Sequence, residues 1–271
     1  MPSSPRLPAS PGEATRAAAR DLAACLRFFS RLPLPRLSVE ASPHAPPDLS
    51  RLARMVPIAG AILGAIGALA LSLADGLGLP PFLCAGLAVA ALVILSGALH
   101  EDGLADVVDG FGGGATRERK LEIMRDSRVG SYGVLALLIG LGLRAAALST
   151  LLGGDAMSVL GAMVAAHAVS RAGLPAIMHG FDPARPGGLA AGAGRPDAVT
   201  AQAAAALGVL AALAGLGWWR GILALAIAAA AMGATAMLAR RQIGGYTGDV
   251  LGAAQQLAEA AVLLVAAAQM H

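Results

Sequence analysis

Long apolar runs, separated by short polar segments, occupy most of this chain. Seven of these runs have the length that crosses a bilayer: 56–74, 80–99, 132–152, 156–178, 198–219, 221–239 and 250–270. About twenty helical residues, each rising about 1.5 Å, cross a hydrocarbon core of about 30 Å. Four runs contain no charged side chain, and the other three contain one or two ionisable groups each. The pattern predicts an all-α, polytopic membrane bundle of about seven spans.

Composition favours this interpretation over an alanine-rich soluble helical protein. Hydrophobic residues make up 56% of the 271 residues, charged residues 14%, and the mean hydropathy is +0.68. Basic side chains concentrate before the first run and in the loops after the second, fourth and sixth runs. The positive-inside rule places these segments in the cytosol, so we expect a cytosolic N-terminus in the cell inner (plasma) membrane. The lipid bilayer is the expected partner. Without an aromatic, basic groove, no nucleic-acid partner is expected.

The N-terminal segment differs from the rest of the chain. Residues 1–20 are rich in Pro, Ser and Ala and are predicted to be disordered, while 21–271 are expected to form one membrane-embedded domain. Residues 21–32 are predicted to form an amphipathic helix, with arginines on one side and apolar residues, including Cys25, on the other. The helix has two alternative positions, on the inner leaflet or against the protein's own loops. No structural disulfide is expected between Cys25 and Cys84.

Three aspartates follow the second apolar run. Asp102, Asp106 and Asp109 are spaced i, i+4 and i+7, so on a helix they fall within an arc of roughly 60°. Carboxylates on one face repel one another unless a cation joins them, and hard oxygen ligands select Mg²⁺. The alternative is a solvated acidic helix end. Because the face follows twenty uncharged residues, we predict a metal site there.

Phosphate-binding features follow the aspartates. Backbone N–H groups of the consecutive glycines Gly112, Gly113 and Gly114 could approach a phosphate closely. The basic run that begins at Arg117 contains Arg125 and Arg128, whose i, i+3 spacing allows them to clamp a phosphate. The alternative for these arginines is a positive-inside anchor. Together with the aspartates, they indicate metal-assisted phosphoryl transfer.

Two further cytosolic loops are rich in glycine. The loop 240–249 offers Gly245 and Thr247 as substrate contacts, and Asp249 either as a catalytic carboxylate or as a helix cap. The loop 185–195 is either a mobile lid or a linker.

Four ionisable residues lie within the predicted spans. His167 and Arg171 share a helix face and are expected to line the substrate pocket, because intramembrane charges are usually functional. For Arg144 and Glu259 a structural role is expected, either as a pair or by snorkelling.

Four motifs, in order, closely resemble the cobalamin synthase family, also called adenosylcobinamide-GDP ribazoletransferases. They are FFSRLP at 28–33, HEDGLADVVDGFGG at 100–113, MRDSRVGSYG at 124–133 and GGYTGDVLGA at 244–253. The resemblance implies a Mg²⁺-dependent membrane enzyme that joins adenosylcobinamide-GDP to α-ribazole, or to its 5′-phosphate, and releases GMP. Asp102, Asp106 and Asp109 would hold Mg²⁺, and Arg125 and Arg128 would stabilise the developing charge.

The resemblance leaves several points open. The general base is Asp109, Asp126 or Asp249, and a homo-oligomer is one alternative for the assembly. Residues 22–32 are expected to help form the entrance for the bulky corrinoid. The chain departs from the family pattern at Glu101, where a hydrophobic residue is usual, and at Gln255-Gln256, where an acidic pair is expected.

Two other functions compete with this one. A CDP-alcohol phosphatidyltransferase shares the half-signature Asp106-Val-Val-Asp109-Gly110 but requires a second pair of aspartates at a fixed spacing. A transporter or corrinoid-binding subunit would place its polar site near the bilayer midplane, often within internal repeats.

Overall fold

The computed structural model describes residues 11–34, 48–186 and 192–268, and within these ranges the chain is α-helical between its turns and connecting segments. This confirms the all-α fold. The helices of these ranges are α1 Pro11–Phe29, α2 Leu49–Leu52, α3 Val56–Gly76, α4 Pro81–Ser96, α5 Leu99–Gly113, α6 Arg117–Ile123, α7 Ser131–Leu151, α8 Ala156–Ala172, α9 Leu174–Gly180, α10 Ala198–Ile243 and α11 Gly248–Ala267. A 3₁₀ turn, Ala53–Met55, joins α2 to α3.

Five helical segments are long and apolar enough to cross a membrane, or six if α4 and α5 together form one broken span. The chain is therefore a multi-pass membrane protein. The five segments are Ser50–Gly76, Ser131–Leu151, Ala156–Gly180, Ala198–Ile243 and Gly248–Ala267. The predicted number of seven differs from five for two reasons: the run 80–99 became the shorter helix α4, which counts only as part of a bent pair with α5, and α10 contains two of the predicted spans.

Helix α10 folds back on itself at Gly217. At about 1.5 Å per residue, its 46 residues would extend roughly 69 Å, more than twice the thickness of a hydrocarbon core. Gly217 has φ 75° and ψ 176°, outside the helical region. A β-carbon on Gly221 would lie 2.9 Å from the carbonyl oxygen of Ala212, although nine residues of straight helix extend about 13 Å. The two arms of α10 are thus antiparallel neighbours. If each arm is a span, the number of seven is recovered, and it stays a prediction.

A sharp turn separates α4 from α5. Gly97 and Ala98 both adopt left-handed backbone conformations, with φ 64° and 57°, and the two helix axes differ by 91°. Alanine rarely adopts this conformation, so the turn is held by its surroundings. One such contact is the hydrogen bond of 2.6 Å from the Arg31 N–H to the Leu95 carbonyl. The aspartates therefore lie on a separate helix and not on a continuation of the second apolar run.

Helix α1 packs on the protein itself. Cys25, Leu26 and Phe29 are buried against Val56 and neighbouring apolar residues of α3. The apolar side of the amphipathic segment thus packs on the first span of the protein itself, and its position relative to the inner leaflet stays a prediction. The helix begins at Pro11, ten residues before the predicted start, while residues 1–10 lie outside the described ranges. The predicted division into a disordered segment and one membrane-embedded domain stays a prediction.

The contact of Asp21 and the burial of the Cys25 thiol agree with this position of α1. The Arg54 guanidinium donates to the Asp21 carboxylate at 2.9 Å, which ties α1 to the start of the first span. Burial raises the pKa of the Cys25 thiol to about 12, with a further contribution from the Asp21 charge. Cys25 and Cys84 are both free, as expected.

A buried cluster of charged side chains joins α5, α7, α8 and α11. The Arg144 guanidinium donates to carboxylate oxygens of Glu101 and Glu259 at 3.1 Å each. These three side chains are no more than 8% exposed. Arg171 Nη1 and His167 Nε2 lie 3.6 Å and 3.7 Å from the other Glu259 oxygen. The expected structural pairing of Arg144 with Glu259 is confirmed, and Glu101 is a further member of the cluster.

The glutamines that replace the expected acidic pair belong to the same cluster. The Gln255 amide donates to Glu259 at 2.6 Å, and the Gln256 amide donates to Glu101 at 3.2 Å. Amide donors at these positions satisfy carboxylate oxygens, whereas two more carboxylates would add uncompensated negative charge.

We expect Arg144→Met to lower the free energy of unfolding by about 3–5 kcal/mol, because two buried carboxylates lose their cation. Unfolding titrations in mixed micelles measure this loss. Arg240→Met, at an exposed position, is the matched control and should have little effect. Equal losses in the two variants would show that the cluster does not stabilise the bundle.

Candidate active site

The three aspartates of α5 differ in exposure. Asp102 is exposed, Asp106 is half-buried, and Asp109 is buried with 8% of its surface exposed. The helix thus carries its acidic face from solvent into the protein. As expected from the spacing, the three side chains follow one side of α5, but each meets a different environment.

Asp109 caps the start of α7. Its two carboxylate oxygens accept hydrogen bonds from the backbone N–H groups of Gly130 at 2.7 Å and Gly133 at 2.9 Å. A β-carbon on either glycine would collide with this carboxylate, so only glycine permits the contact. The capping role occupies both carboxylate oxygens of Asp109, although its charge still acts on Asp106. Its predicted roles, as metal ligand or general base, stay predictions.

The structure brings Asp249 to the aspartates of α5. A β-carbon on Gly103 would lie 2.8 Å from the Asp249 carbonyl oxygen, so α5 and the start of α11 are in close contact. Asp102 and Asp249 line the same cavity, and both charges act on Asp106. Asp249 therefore lies near the aspartates of α5, and Asp106 experiences the negative charge of Asp102, Asp249 and Asp109 together. Like charges in a partly buried region repel and favour binding of a cation.

Asp249 does not cap α11, because Thr247 does. The Thr247 hydroxyl accepts from the Val250 N–H at 3.2 Å and donates to Asp249 at 3.1 Å. Arg185 Nη2 lies 3.9 Å from the same carboxylate. Thr247 thus orients Asp249, and the loop that contains Arg185 supplies the neighbouring positive charge.

Metal ligands do not form a compact group in this conformation. Within residues 11–34, 48–186 and 192–268, no three His, Cys, Asp or Glu side chains are close enough to hold one ion. This does not exclude Mg²⁺, which commonly binds one or two carboxylates, together with substrate phosphates and water. Asp102, Asp106 and Asp249 have the donor chemistry that such a site requires.

Two cavities border α5, one at the start of the helix and one near its end. The first has a volume of about 160 Å³ and is lined mostly by apolar residues, with Asp102 and Asp249 among them. The second has a volume of about 350 Å³ and is polar; its lining includes Asp109, Arg119 and Arg128. The acidic helix therefore separates an apolar binding space from a polar one.

Asp126 and Arg128 pair with each other at the polar cavity. The Arg128 guanidinium donates to both carboxylate oxygens of Asp126, at 2.6–3.2 Å. These hydrogen bonds lower the pKa of Asp126 to about 2, so Asp126 is a poor proton acceptor near neutral pH. Arg125 is exposed. Arg128 would have to exchange its partner to clamp a phosphate.

The glycine triplet allows close packing around the end of α5. Gly112 lies against the Tyr132 ring, and Gly114 lies against the backbone of Lys120. Gly113 lines the polar cavity. Of the three glycines predicted to bind phosphate, Gly113 is thus the one with a place in a cavity.

Arg117 and Gly245 hold loops together. The Arg117 guanidinium donates to the Ile243 carbonyl at 2.8 Å and to the Ala184 carbonyl at 2.5 Å. A β-carbon on Gly245 would collide with the Asp182 carbonyl. These contacts join the segment 182–184 to the segment that precedes α11. The predicted substrate contacts of Arg117 and Gly245 stay predictions.

His167 and Arg171 lie elsewhere. Both are buried, with 2% and 3% of their surface exposed, and both contact the charged cluster around Glu259. The structure places them with Glu101 and Glu259 and not in either cavity beside the aspartates of α5, and their pairing supports a structural role.

Comparison with known proteins identifies the family of this chain. A family model described as cobalamin-5-phosphate synthase matches residues 21–267. The chain belongs to the cobalamin-5-phosphate synthase family. The adenosylcobinamide-GDP ribazoletransferase of Azorhizobium caulinodans is 48% identical over 90% of this chain and 94% of its own length. The enzymes of the same name from Bradyrhizobium diazoefficiens and Brucella anthropi are 46% and 42% identical, over 94% and 88% of this chain and 96% and 92% of their own lengths. No solved structure is significantly similar.

Membership in the cobalamin-5-phosphate synthase family decides between the competing functions. The relatives are transferases of cobalamin synthesis, so the chain is an enzyme of that pathway and neither a phosphatidyltransferase nor a transporter.

The sequence analysis missed two features of this site. Arg185, next to Asp249, was assigned only to a lid or linker. Phe28 and Phe29 line the apolar cavity, whereas the sequence indicated only that their segment forms an entrance. The FFSRLP motif was the available signal, because its position before the first span gave no other reason for two adjacent phenylalanines.

We expect Asp109→Ala to lower the free energy of unfolding by about 1–3 kcal/mol, since two backbone N–H groups lose their acceptor. The measurement is again an unfolding titration in mixed micelles. Asp102→Ala is the control, because Asp102 is exposed, and it should unfold close to the wild type. A stable Asp109→Ala variant would contradict the capping role.

Proposed function

We propose that this enzyme transfers the cobinamide phosphate of adenosylcobinamide-GDP to α-ribazole, or to its 5′-phosphate, and releases GMP in a Mg²⁺-dependent reaction. The product would be adenosylcobalamin or its 5′-phosphate. The observation that carries the proposal is that Asp102 and Asp249 line one apolar cavity and that both of their charges act on Asp106. The names of the relatives supply the substrates.

Asp102 and Asp106 would hold Mg²⁺ in this proposal. They project from successive turns of one helix, and Asp249 adds a third negative charge to the same region. Carboxylate oxygens are the ligands that Mg²⁺ prefers. When bound, the ion would neutralise charge on the diphosphate.

We assign the general base to Asp249 among the three candidates. Asp126 is paired with Arg128, and Asp109 caps α7. Asp249 lines the apolar cavity and is oriented by Thr247. A hydroxyl oxygen of the ribazole would form the bond to the phosphorus nearest the corrinoid, and its proton would pass to Asp249. The bond to the bridging oxygen would break, and that oxygen would leave with GMP.

Positive charge for the phosphates would come from two directions. Arg185 lies 3.9 Å from Asp249, so it is next to the proposed base. Arg119 and Arg128 line the polar cavity near the end of α5. Arginines suit this role because the planar guanidinium binds phosphate oxygens through two donors.

The site would face the cytosol, with the protein in the inner (plasma) membrane. The basic loop 114–130, together with Arg185, Arg195, Arg240 and Arg241, lies on the predicted cytosolic side of the spans. The positive-inside rule supports this orientation.

We expect purified protein in detergent to release GMP only when adenosylcobinamide-GDP, α-ribazole and Mg²⁺ are all present. Asp106→Asn and Asp249→Asn should lower this rate by about 10²-fold or more, because a charged ligand or a base is lost. Chromatographic measurement of GMP tests both variants. Asp75→Asn, at an exposed position that lines neither cavity, is the control and should stay close to the wild-type rate. Full activity of Asp106→Asn would overturn the metal site and leave the reaction standing.

Mg²⁺ binding can be measured without turnover. An ion that binds only the folded protein stabilises it by about 2.7 kcal/mol at a hundred times its dissociation constant. We therefore expect Mg²⁺ to raise the unfolding midpoint of the wild type and of Asp75→Asn, but not that of Asp106→Asn. If Mg²⁺ stabilised all three equally, the ion would bind elsewhere.

A further inference from the structure

The apolar cavity beside the carboxylates has a definite size and chemistry. Its volume is about 160 Å³, and its walls include Phe28, Phe29, Val56, Met178 and Leu251. Among its lining side chains, those that can ionise are His100, Asp102 and Asp249. The space is therefore a small apolar compartment with two carboxylates.

Aromatic rings form one wall of this cavity. The rings of Phe29 and His100 are stacked, with centroids 5.7 Å apart and planes 4° from parallel. Phe28 meets Phe29 edge to face, with centroids 4.8 Å apart. A flat aromatic ligand can stack on or pack edge-on against such a wall.

Size excludes the corrinoid from this space. Sites that enclose a whole drug-sized ligand have volumes of about 300–1,000 Å³, larger than the 160 Å³ found here. An apolar cavity of about 150 Å³ in another protein binds benzene. The cavity thus suits one flat aromatic group and not a macrocycle.

The apolar walls disfavour the guanine base. Guanine has several donors and acceptors on its ring edge, and His100, Asp102 and Asp249 are the polar side chains in the cavity lining. Most of those donors and acceptors would therefore face apolar side chains and lose their partners. The 5,6-dimethylbenzimidazole base of α-ribazole has two methyl groups and one free ring nitrogen. Of the aromatic groups in the proposed substrates, it is the one that an apolar cavity accepts at least cost.

We propose that this cavity binds the benzimidazole base of α-ribazole and selects it by size and lack of polarity. Since Asp102 and Asp249 line the same cavity, a base held there places the attached ribose beside the carboxylates. This inference rests on the proposed function, because it names the position of one of its substrates. It also assigns Phe28, Phe29 and Leu251 as residues that determine specificity.

The test narrows the cavity at Leu251. Leu251→Phe should raise KM for α-ribazole by about 10-fold or more, because one methylene-sized change in an apolar pocket alters selectivity by about 10–200-fold. KM for adenosylcobinamide-GDP should not change. The ratio of kcat/KM for the unmethylated benzimidazole riboside to that for α-ribazole should rise, since the smaller base fits the narrowed space.

Leu257→Phe is the matched control. Leu257 is on the same helix, is 44% exposed and does not line the cavity, so the same substitution there should leave both KM values unchanged. If Leu251→Phe does not fold, Leu251→Ala provides the test instead, because it enlarges the cavity. It should accept the riboside of a larger, tricyclic base that the wild type excludes.

Equilibrium dialysis of α-ribazole provides a readout that does not need turnover. We expect weaker binding to Leu251→Phe than to the wild type or to Leu257→Phe. Unchanged α-ribazole binding and KM in Leu251→Phe, or an increase only in KM for adenosylcobinamide-GDP, would overturn the inference. Absence of GMP release by folded wild-type protein would instead refute the proposed function, and dialysis would still decide whether the cavity binds the base.

Discussion

The buried cluster around Arg144 fixes the geometry on which the site depends. An isolated charge in an apolar bundle is costly, so Arg144, Glu101 and Glu259 are stable there only as hydrogen-bonded partners. Because these residues come from α7, α5 and α11, their pairing holds three helices at one relative position. Glu101 is next to Asp102 in the chain. The cluster therefore anchors the start of the helix that presents the acidic face.

Close backbone contacts then define the site from that anchor outwards. Gly103 brings α5 against Asp249 at the start of α11, and Gly130 and Gly133 bring the start of α7 against Asp109. Both α7 and α11 point their N-terminal ends toward this region, where unpaired backbone N–H groups favour negative charge. The acidic helix and a polyanionic substrate are thus both compatible with the same end of the bundle.

The sequence predicted what local spacing determines. Apolar runs gave the all-α membrane bundle, and the i, i+4, i+7 spacing placed three aspartates on one face. Local spacing did not predict the contacts between segments that are distant in the chain. Nothing in the sequence near Asp109 indicates that the backbone N–H groups of glycines 21 and 24 residues later donate hydrogen bonds to its carboxylate. Likewise, Asp249 joins Asp106 only because two helices cross at Gly103. The start of α1 at Pro11 was missed because residues 11–20 lack an apolar face of their own.

The orientation of α5 relates these features to the chemistry. The 91° turn at Gly97 and Ala98 directs this helix away from α4 and between two cavities of opposite character. Different turns of α5 therefore border different cavities. Asp102 lines the apolar cavity and Asp109 lines the polar one, and Asp106 lies between these two residues in the sequence. The proposed reaction, in which a hydroxyl of a riboside with an apolar base attacks a diphosphate, would need carboxylates with access to both kinds of environment. One short helix, turned across the bundle, provides that access, and a straight continuation of α4 would not.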